Sequence, residues 1–227
     1  MTAESKSTKN NENEELHLSS RFTSAIDYAR HIHIERRKGT GIPYMAHLLG
    51  VAALVMGESG HAGFPVTEDM VIAALLHDAV EDHGGRPMLK VIDRIFGARV
   101  AKIVDGCTDS YVEDPKKKES WERRKFRYLR RVRHEDAETR FVSAADKLYN
   151  ARAVLRDLRY DGEIAFSRFS VPKAKTLWYY RSLVREYRLG GVTHRLKPLI
   201  DDLDRVVTEV EHLSGILASP IHRPRRK

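Results

Sequence analysis

Cysteine is nearly absent from this sequence. Cys107 is the only one in 227 residues, so no disulfide can form within the chain. Long apolar runs are missing as well: no stretch reaches the roughly 20 consecutive apolar residues that a bilayer span needs, and the polar N-terminal segment lacks the apolar core of a secretory signal. Nor is there convincing β-branched alternation of the kind that marks a sheet, or an internal repeat of fixed period. These absences argue against a disulfide-stapled scaffold, a membrane protein and a repeat array. A reducing cytoplasm is the expected compartment.

What is present is the composition of one soluble domain with tails. Hydrophobic residues make up 41% and charged residues 32%, and the length suits one well-filled core. Lys and Arg number 40 against 32 Asp and Glu, a net charge of +8 with a sequence pI near 9.6. Such a field attracts phosphate-bearing partners, nucleotide or nucleic acid, without defining a site. Residues 1–18 are polar and too poor in bulky apolar groups to offset the entropy of ordering, so they read as a disordered arm. Residues 218–227 read as a basic tail, and 19–217 as the folded domain.

Between the tails the pattern is helical throughout. Phe22, Ile26, Ala29 and His33 recur at helix spacing until Gly39 and Gly41 interrupt. His47, Val51, Leu54 and Val55 continue the period to Gly57. Thr67 caps a third helix, with Glu68 and Asp69 placed to favour its dipole. Its run Val71-Ile72-Ala73-Ala74-Leu75-Leu76 is apolar on every side and belongs at the domain centre. That helix is expected to pass through His77-Asp78-Ala79-Val80-Glu81-Asp82 and stop at Gly84-Gly85. Helices over 88–96, 100–107, 116–133, 141–158, 173–189 and 196–217 complete an all-α single-domain bundle.

Two ionisable residues directly after six apolar ones, with two more one turn later, look costly, because an unpaired buried carboxylate loses several kcal/mol of solvation. A cation resolves the conflict. His77 and Asp78 can bracket one ion, with Glu81 and Asp82 one turn further on, close enough to act on an attacking water. His47 near the start of helix two, and Asp146 beside the apolar stripe Phe141, Ala145, Leu148 and Leu155, are candidates for the remaining ligands. Two imidazoles and two carboxylates suit manganese or iron with positions left for water. Tetrahedral structural zinc fits less well, since no cysteine is offered.

The ordered blocks Arg37-Lys38, Pro43-Tyr44 with His47, Ala73 to Asp78 with Glu81-Asp82, Phe96-Gly97 with Val100, Thr108-Asp109, Arg124-Lys125 and Ala145 to Asn150 resemble those of HD-domain phosphohydrolases. They are most similar to the small alarmone hydrolases related to the hydrolase domain of Rel/Spo stringent-response enzymes. The resemblance implies an HD-type bundle with its metal site at the centre: His47, His77, Asp78 and Asp146 holding manganese (iron or zinc as alternatives), and Glu81 and Asp82 handling the water and its protons. It implies hydrolysis of the 3′-pyrophosphate of guanosine tetra- or pentaphosphate, or an adenosine analogue. Tyr44 would line the substrate site, Asn150 touch the ribose, Arg37 and Lys38 the base or its neighbouring phosphate, and Arg124 and Lys125 the pocket mouth. Two positions depart from the pattern: Leu48 stands where relatives often have proline, and Trp121 where some place a phosphate-binding lysine. Fewer than 70 residues follow Leu158, which leaves no room in this sequence for a synthetase domain. Another HD-type nucleotidase or phosphodiesterase is one alternative. A basic helical nucleic-acid-binding protein is a second, against which the intact ligand set argues.

Overall fold

The computed structural model describes residues 15–59, 65–112, 117–191 and 196–215. Its elements are α1 (Ser20–Ile32), α2 (Met45–Gly57), α3 (Glu68–Leu76), α4 (Ala79–Asp82), α5 (Gly85–Phe96), α6 (Ala98–Cys107), α7 (Trp121–Val132), α8 (Ala137–Asp161), a 3-10 segment (Gly162–Arg168), α9 (Lys173–Leu189) and α10 (Leu196–Leu213). Among the described residues the extended pairing consists of a single isolated bridge, Arg36 with Pro43, so the fold is all-α. No helix among them is long and apolar enough to cross a membrane.

Caps set the helix starts. The Thr67 hydroxyl accepts from the Met70 amide at 3.3 Å, and the Asp136 carboxylate accepts from the Thr139 amide at 2.8 Å. Each satisfies an amide that the first helical turn leaves without a partner. From Met70 to Leu76 every residue of α3 is buried, and α3 packs against α1, α2, α6 and α8. At about 1.5–3 kcal/mol for each fully buried Val, Leu, Ile or Met side chain, α3 has ample driving force to carry charged residues at its end into the interior. The long α8 crosses α2, α3, α6 and α10, so the two helices that bear the candidate acidic ligands meet in the core.

The structure departs from the periodicity reading at several points. The helix expected to run from Thr67 to Asp82 breaks at His77-Asp78, because the His77 ring Nδ1–H donates to the Ala74 carbonyl at 2.8 Å, the acceptor that the next helical turn would use. Gly85, expected within a stop, opens α5 in the left-handed region at φ +58°. α1 ends at Ile32, with His33 as its cap. The basic helix begins at Trp121, behind a Ser120 cap, rather than at Lys116. α8 starts four residues before Phe141 because Asp136 caps it, and the 3-10 turn after it had no periodic signal. α10 ends at Leu213 rather than Leu217. Of the proposed arm, residues 15–18 are described, and Leu16 packs against the core. The rest of the arm, Lys116, Leu217 and the basic tail lie outside the described residues.

Close approach of α2 and α8 depends on Gly50. A Cβ there would lie 2.0 Å from Cε2 of Tyr149, whose hydroxyl donates to the Ala46 carbonyl at 2.9 Å. Overpacking costs about 1–3 kcal/mol, whereas alanine gains about 1 kcal/mol over glycine in helix propensity. With the ring held by a hydrogen bond, the clash wins. Gly50→Ala should therefore unfold at lower urea concentration than wild type, an equal or higher midpoint being the contrary result.

Candidate active site

Three helical segments deliver four donors to one point. α2 presents His47 from its first turn, the α3 break presents His77 and Asp78, and the middle of α8 presents Asp146. The His47 and His77 Nε2 atoms lie 3.1 Å apart. Asp78 Oδ2 is 3.3 Å from the first and 3.0 Å from the second, and Asp146 Oδ1 is 3.4 Å from both. Because His77 Nδ1 must donate to Ala74, its Nε2 lone pair is free to face the centre, the tautomer a metal-ligating histidine uses. His47 Nδ1 is buried with no hydrogen-bond partner, so this ring lacks the outer acceptor that His77 has in Ala74. Five of the six donor pairs lie 3.0–3.4 Å apart, which matches the ~3 Å spacing of adjacent ligands around an ion with bonds of about 2.0–2.2 Å. His47, His77 and Asp78 form a mutually close three-donor group, and Asp146 joins it through the two imidazoles. The residues fit a divalent cation.

The electrostatics show the same demand for positive charge. Burial alone would lower His77, yet the carboxylates of Asp78 and Asp146 outweigh it and hold the imidazole well above its usual value. His47 is lowered, chiefly by burial. Asp146 stays ionised despite burial because Lys147 and His77 face it, with Lys147 Nζ 2.5 Å from Oδ2. Tyr44, expected in the substrate site, lines one of the two cavities beside the cluster and also donates to Asp78 Oδ2 at 2.6 Å, which orients that ligand.

Glu81 and Asp82 lie one turn beyond the break. Burial, then Asp109, raises the Glu81 carboxyl, while Lys125 and Lys118 partly counter this; Lys118 Nζ lies 3.7 Å and Arg124 Nη1 3.3 Å from Glu81 Oε1. Desolvation in the cleft, with Asp78 and Glu81 adding negative charge, pushes Asp82 up to about 7. Its side chain still reaches water, so a proton on it can exchange with solvent.

Arg37 bridges the cluster and the open space beside it. Its Nη2 donates to Asn150 Oδ1 at 2.8 Å, Asn150 Nδ2 donates to Asp146 Oδ1 at 2.6 Å, and Arg37 Nη1 is buried without a partner. A cavity of about 270 Å³ is lined by Arg37, Lys125, Lys147, Asn150 and Tyr179, among others. A second, of about 300 Å³, is lined by Arg37, Lys38, Tyr44 and Arg168. Their combined room is of the order of a small-ligand site. Lys38 reaches only the outer cavity. Arg124 and Lys125 are held by Asp109 at 2.5 and 2.6 Å, so the pair stands as an ion-paired cluster rather than as free cations.

Several residues of the site carried no assigned role in the sequence reading. Lys147 is buried against Asp146, a placement hinted at only by a lone lysine flanking an apolar stripe. Asp109 organises the basic pair. Lys118, one turn before Trp121, brings a cation to Glu81, while Trp121 itself lines the inner cavity against Tyr179, ring centroids 5.8 Å apart. No periodicity marks a loop lysine of this kind.

Asn150 holds Arg37 and Asp146 at its two ends. Loss of a partner that orients a metal ligand typically costs 10–100-fold in metal affinity. Asn150→Ala should accordingly need roughly tenfold or more of a divalent metal for half-saturation, and an unchanged requirement would remove Asn150 from the ligand support.

With this geometry in place, comparison with known proteins is informative. Residues 25–165 match the family model described as HD domain. The guanosine-3′,5′-bis(diphosphate) 3′-pyrophosphohydrolase MESH1 of Mus musculus is 36% identical over 135 residues, covering 58% of this chain and 68% of that protein. The GTP pyrophosphokinase rsh of Brucella melitensis is 31% identical over 133 residues, 59% of this chain and 17% of that much longer protein. A solved structure described as a metazoan ortholog of SpoT that hydrolyzes ppGpp superposes with a TM-score of 0.63 over 88% of this chain and 99% of that one, at 24% identity, and shows the shared fold. The match spans well over half of the sequence and includes every helix that contributes to the cluster: the chain belongs to the HD domain family.

Proposed function

We propose that this protein is a metal-dependent hydrolase that cleaves the 3′-pyrophosphate from guanosine tetra- or pentaphosphate, or the adenosine analogue, acting in the cytoplasm. Water adds to the 3′-linked phosphorus, the ester oxygen leaves as the 3′ hydroxyl, and pyrophosphate is released. The observation that carries the reading is the convergence of His47, His77, Asp78 and Asp146 on one point beside a cation-lined cavity. The relatives named as 3′-pyrophosphohydrolases supply the substrate class.

In this reading the four residues hold manganese, with iron or zinc as alternatives. When bound, the ion lowers the pKa of water and compensates charge on the phosphoryl oxygens. Glu81 accepts the proton of the attacking water, and Asp82, near neutrality and in touch with solvent, passes protons in and out of the cleft. Arg37 offers its unpartnered Nη1 to a phosphate or to the base, joined by Lys147 within the inner cavity. Asn150 Oδ1 keeps a second lone pair, beyond the one taken by Arg37, for a ribose hydroxyl. Lys38 sits further out, and Arg124 and Lys125 guard the mouth.

The decisive experiment supplies the purified chain and manganese with guanosine tetraphosphate, and follows pyrophosphate. Release of pyrophosphate is the expected result, with guanosine diphosphate, which has no 3′ phosphate, left intact. Release of orthophosphate alone would point to another nucleotidase of the family. Absence of hydrolysis together with RNA binding of steep salt dependence would replace the enzyme by the nucleic-acid-binding alternative.

A further inference from the structure

A second cluster of metal-binding side chains lies apart from the four ligands. His33 caps α1, Glu35 follows two residues later, and His83 caps α4. His33 Nδ1 is 2.8 Å from Glu35 Oε1 and 3.0 Å from His83 Nε2, and that nitrogen is 3.4 Å from the same Glu35 oxygen. From the sequence, His83 reads as a solvent-facing residue before a glycine pair and His33 as a core histidine. The fold brings them together across 50 residues.

Protons alone serve this triangle poorly. Each neutral imidazole has one N–H, so the close nitrogens either share a proton with each other, leaving one of them nothing for Glu35, or crowd two N–H groups onto a single carboxylate oxygen. A cation satisfies all three lone pairs at once. Bonds of 2.0–2.1 Å from a tetrahedral ion place its ligands roughly 3.3 Å apart, and the observed sides of 2.8, 3.0 and 3.4 Å are close to that edge. Two histidines and a glutamate form a set that zinc uses with a water in the fourth position. His33 is fully enclosed, which fixes the base of the site, while Glu35 and His83 are partly open and provide a route in.

We propose that His33, Glu35 and His83 form a second divalent-cation site, suited to zinc, that clamps the connection leading into α2 to the end of α4. The consequence for the active site runs through one aromatic ring. His33 stacks on Tyr44 at 5.1 Å with an interplanar angle of 9°, and the Tyr44 hydroxyl holds Asp78. Closing the triangle fixes the segment that bears Arg37, Lys38 and Tyr44 against the turn that bears Glu81 and Asp82. This site stands on its own three residues and is independent of which substrate the protein cleaves.

The test begins with the full chain stripped of metal, dialysed against micromolar zinc and analysed for bound metal. In an Asp78→Ala background, which removes a ligand of the first cluster, one zinc per chain should remain. Adding His83→Ala should reduce it to none, and His83→Gln should do the same if alanine perturbs the fold. Cobalt(II) gives a second readout: the Asp78→Ala chain should show the intense visible bands of four-coordinate cobalt, absent from the double variant. The proposal is overturned if Asp78→Ala binds no zinc, or if the double variant still binds one. A wild-type chain that binds a single zinc, lost on changing His83 and kept on changing Asp78, would sustain this site and fault the first.

Discussion

Asp78→Ala should abolish manganese retention at the cluster of His47, His77, Asp78 and Asp146, and pyrophosphate release with it. Asp78 Oδ2 lies 3.0 and 3.3 Å from the two imidazole nitrogens and accepts from Tyr44, so its removal opens the ligand set and frees the residue that oriented it. The fold should survive. Losing the Tyr44 hydrogen bond costs about 1 kcal/mol, while the Asp78 charge is one of the causes that raise Glu81 and Asp82, so deleting it relieves repulsion among neighbouring carboxylates. Metal analysis after gel filtration, thermal unfolding and a turnover assay together make the case. Addition of manganese should raise the melting temperature of wild type and leave that of the variant much less affected. A variant that keeps a full equivalent of manganese and wild-type turnover would remove Asp78 from the metal set.

Glu81→Gln should separate binding from chemistry. The Glu81 carboxylate lies beyond the donors, facing Arg124 and Lys118, so the amide preserves shape and leaves the metal ligands intact. Turnover should fall by roughly 10²–10⁴, the usual contribution of a positioned general base, with metal content unchanged. The pH profile provides a further readout. Glu81 is one of the charges that raise Asp82, so the neutral variant should have a lower Asp82 pKa. If activity requires ionised Asp82, the rising limb of the residual rate should move to lower pH than in wild type. Loss of metal in this variant would place Glu81 among the ligands instead.

The extent to which this protein could be read from its residues depends on what each signal physically is. Apolar period and caps are local, and they located α6 and α9 to within a few residues and the start of α3: Thr67 accepts the amide that a cap should, and Gly97 both stops α5 and opens α6. Signals that depend on a tertiary partner were silent. The break at His77 arises from a side chain taking a backbone acceptor, which the apolar run ahead of it gives no hint of. The placement of Lys118 and Asp109 rests on charges that meet only in the folded chain, Lys118 with Glu81 and Asp109 with Lys125, while Lys147 sits beside Asp146 in sequence and only its burial is a tertiary fact. His33, Glu35 and His83 are ordinary residues in sequence and neighbours only in space. The four candidate ligands were legible because their type is rare beside buried helices, and the resemblance tied them into one ordered series.

The ion pairs of Asp109 set a threshold on what the cleft can attract. Arg124 and Lys125 are each already matched by one oxygen of that carboxylate. An incoming anion must therefore compete with a pre-installed counterion held in place by the fold. A singly charged group has little advantage over it, whereas a multiply charged diphosphate does, because attraction grows with the charge delivered to one spot. If the proposed substrate meets Arg124 and Lys125, Asp109 would act there as a built-in competitor that favours densely charged guests over ordinary monoanions.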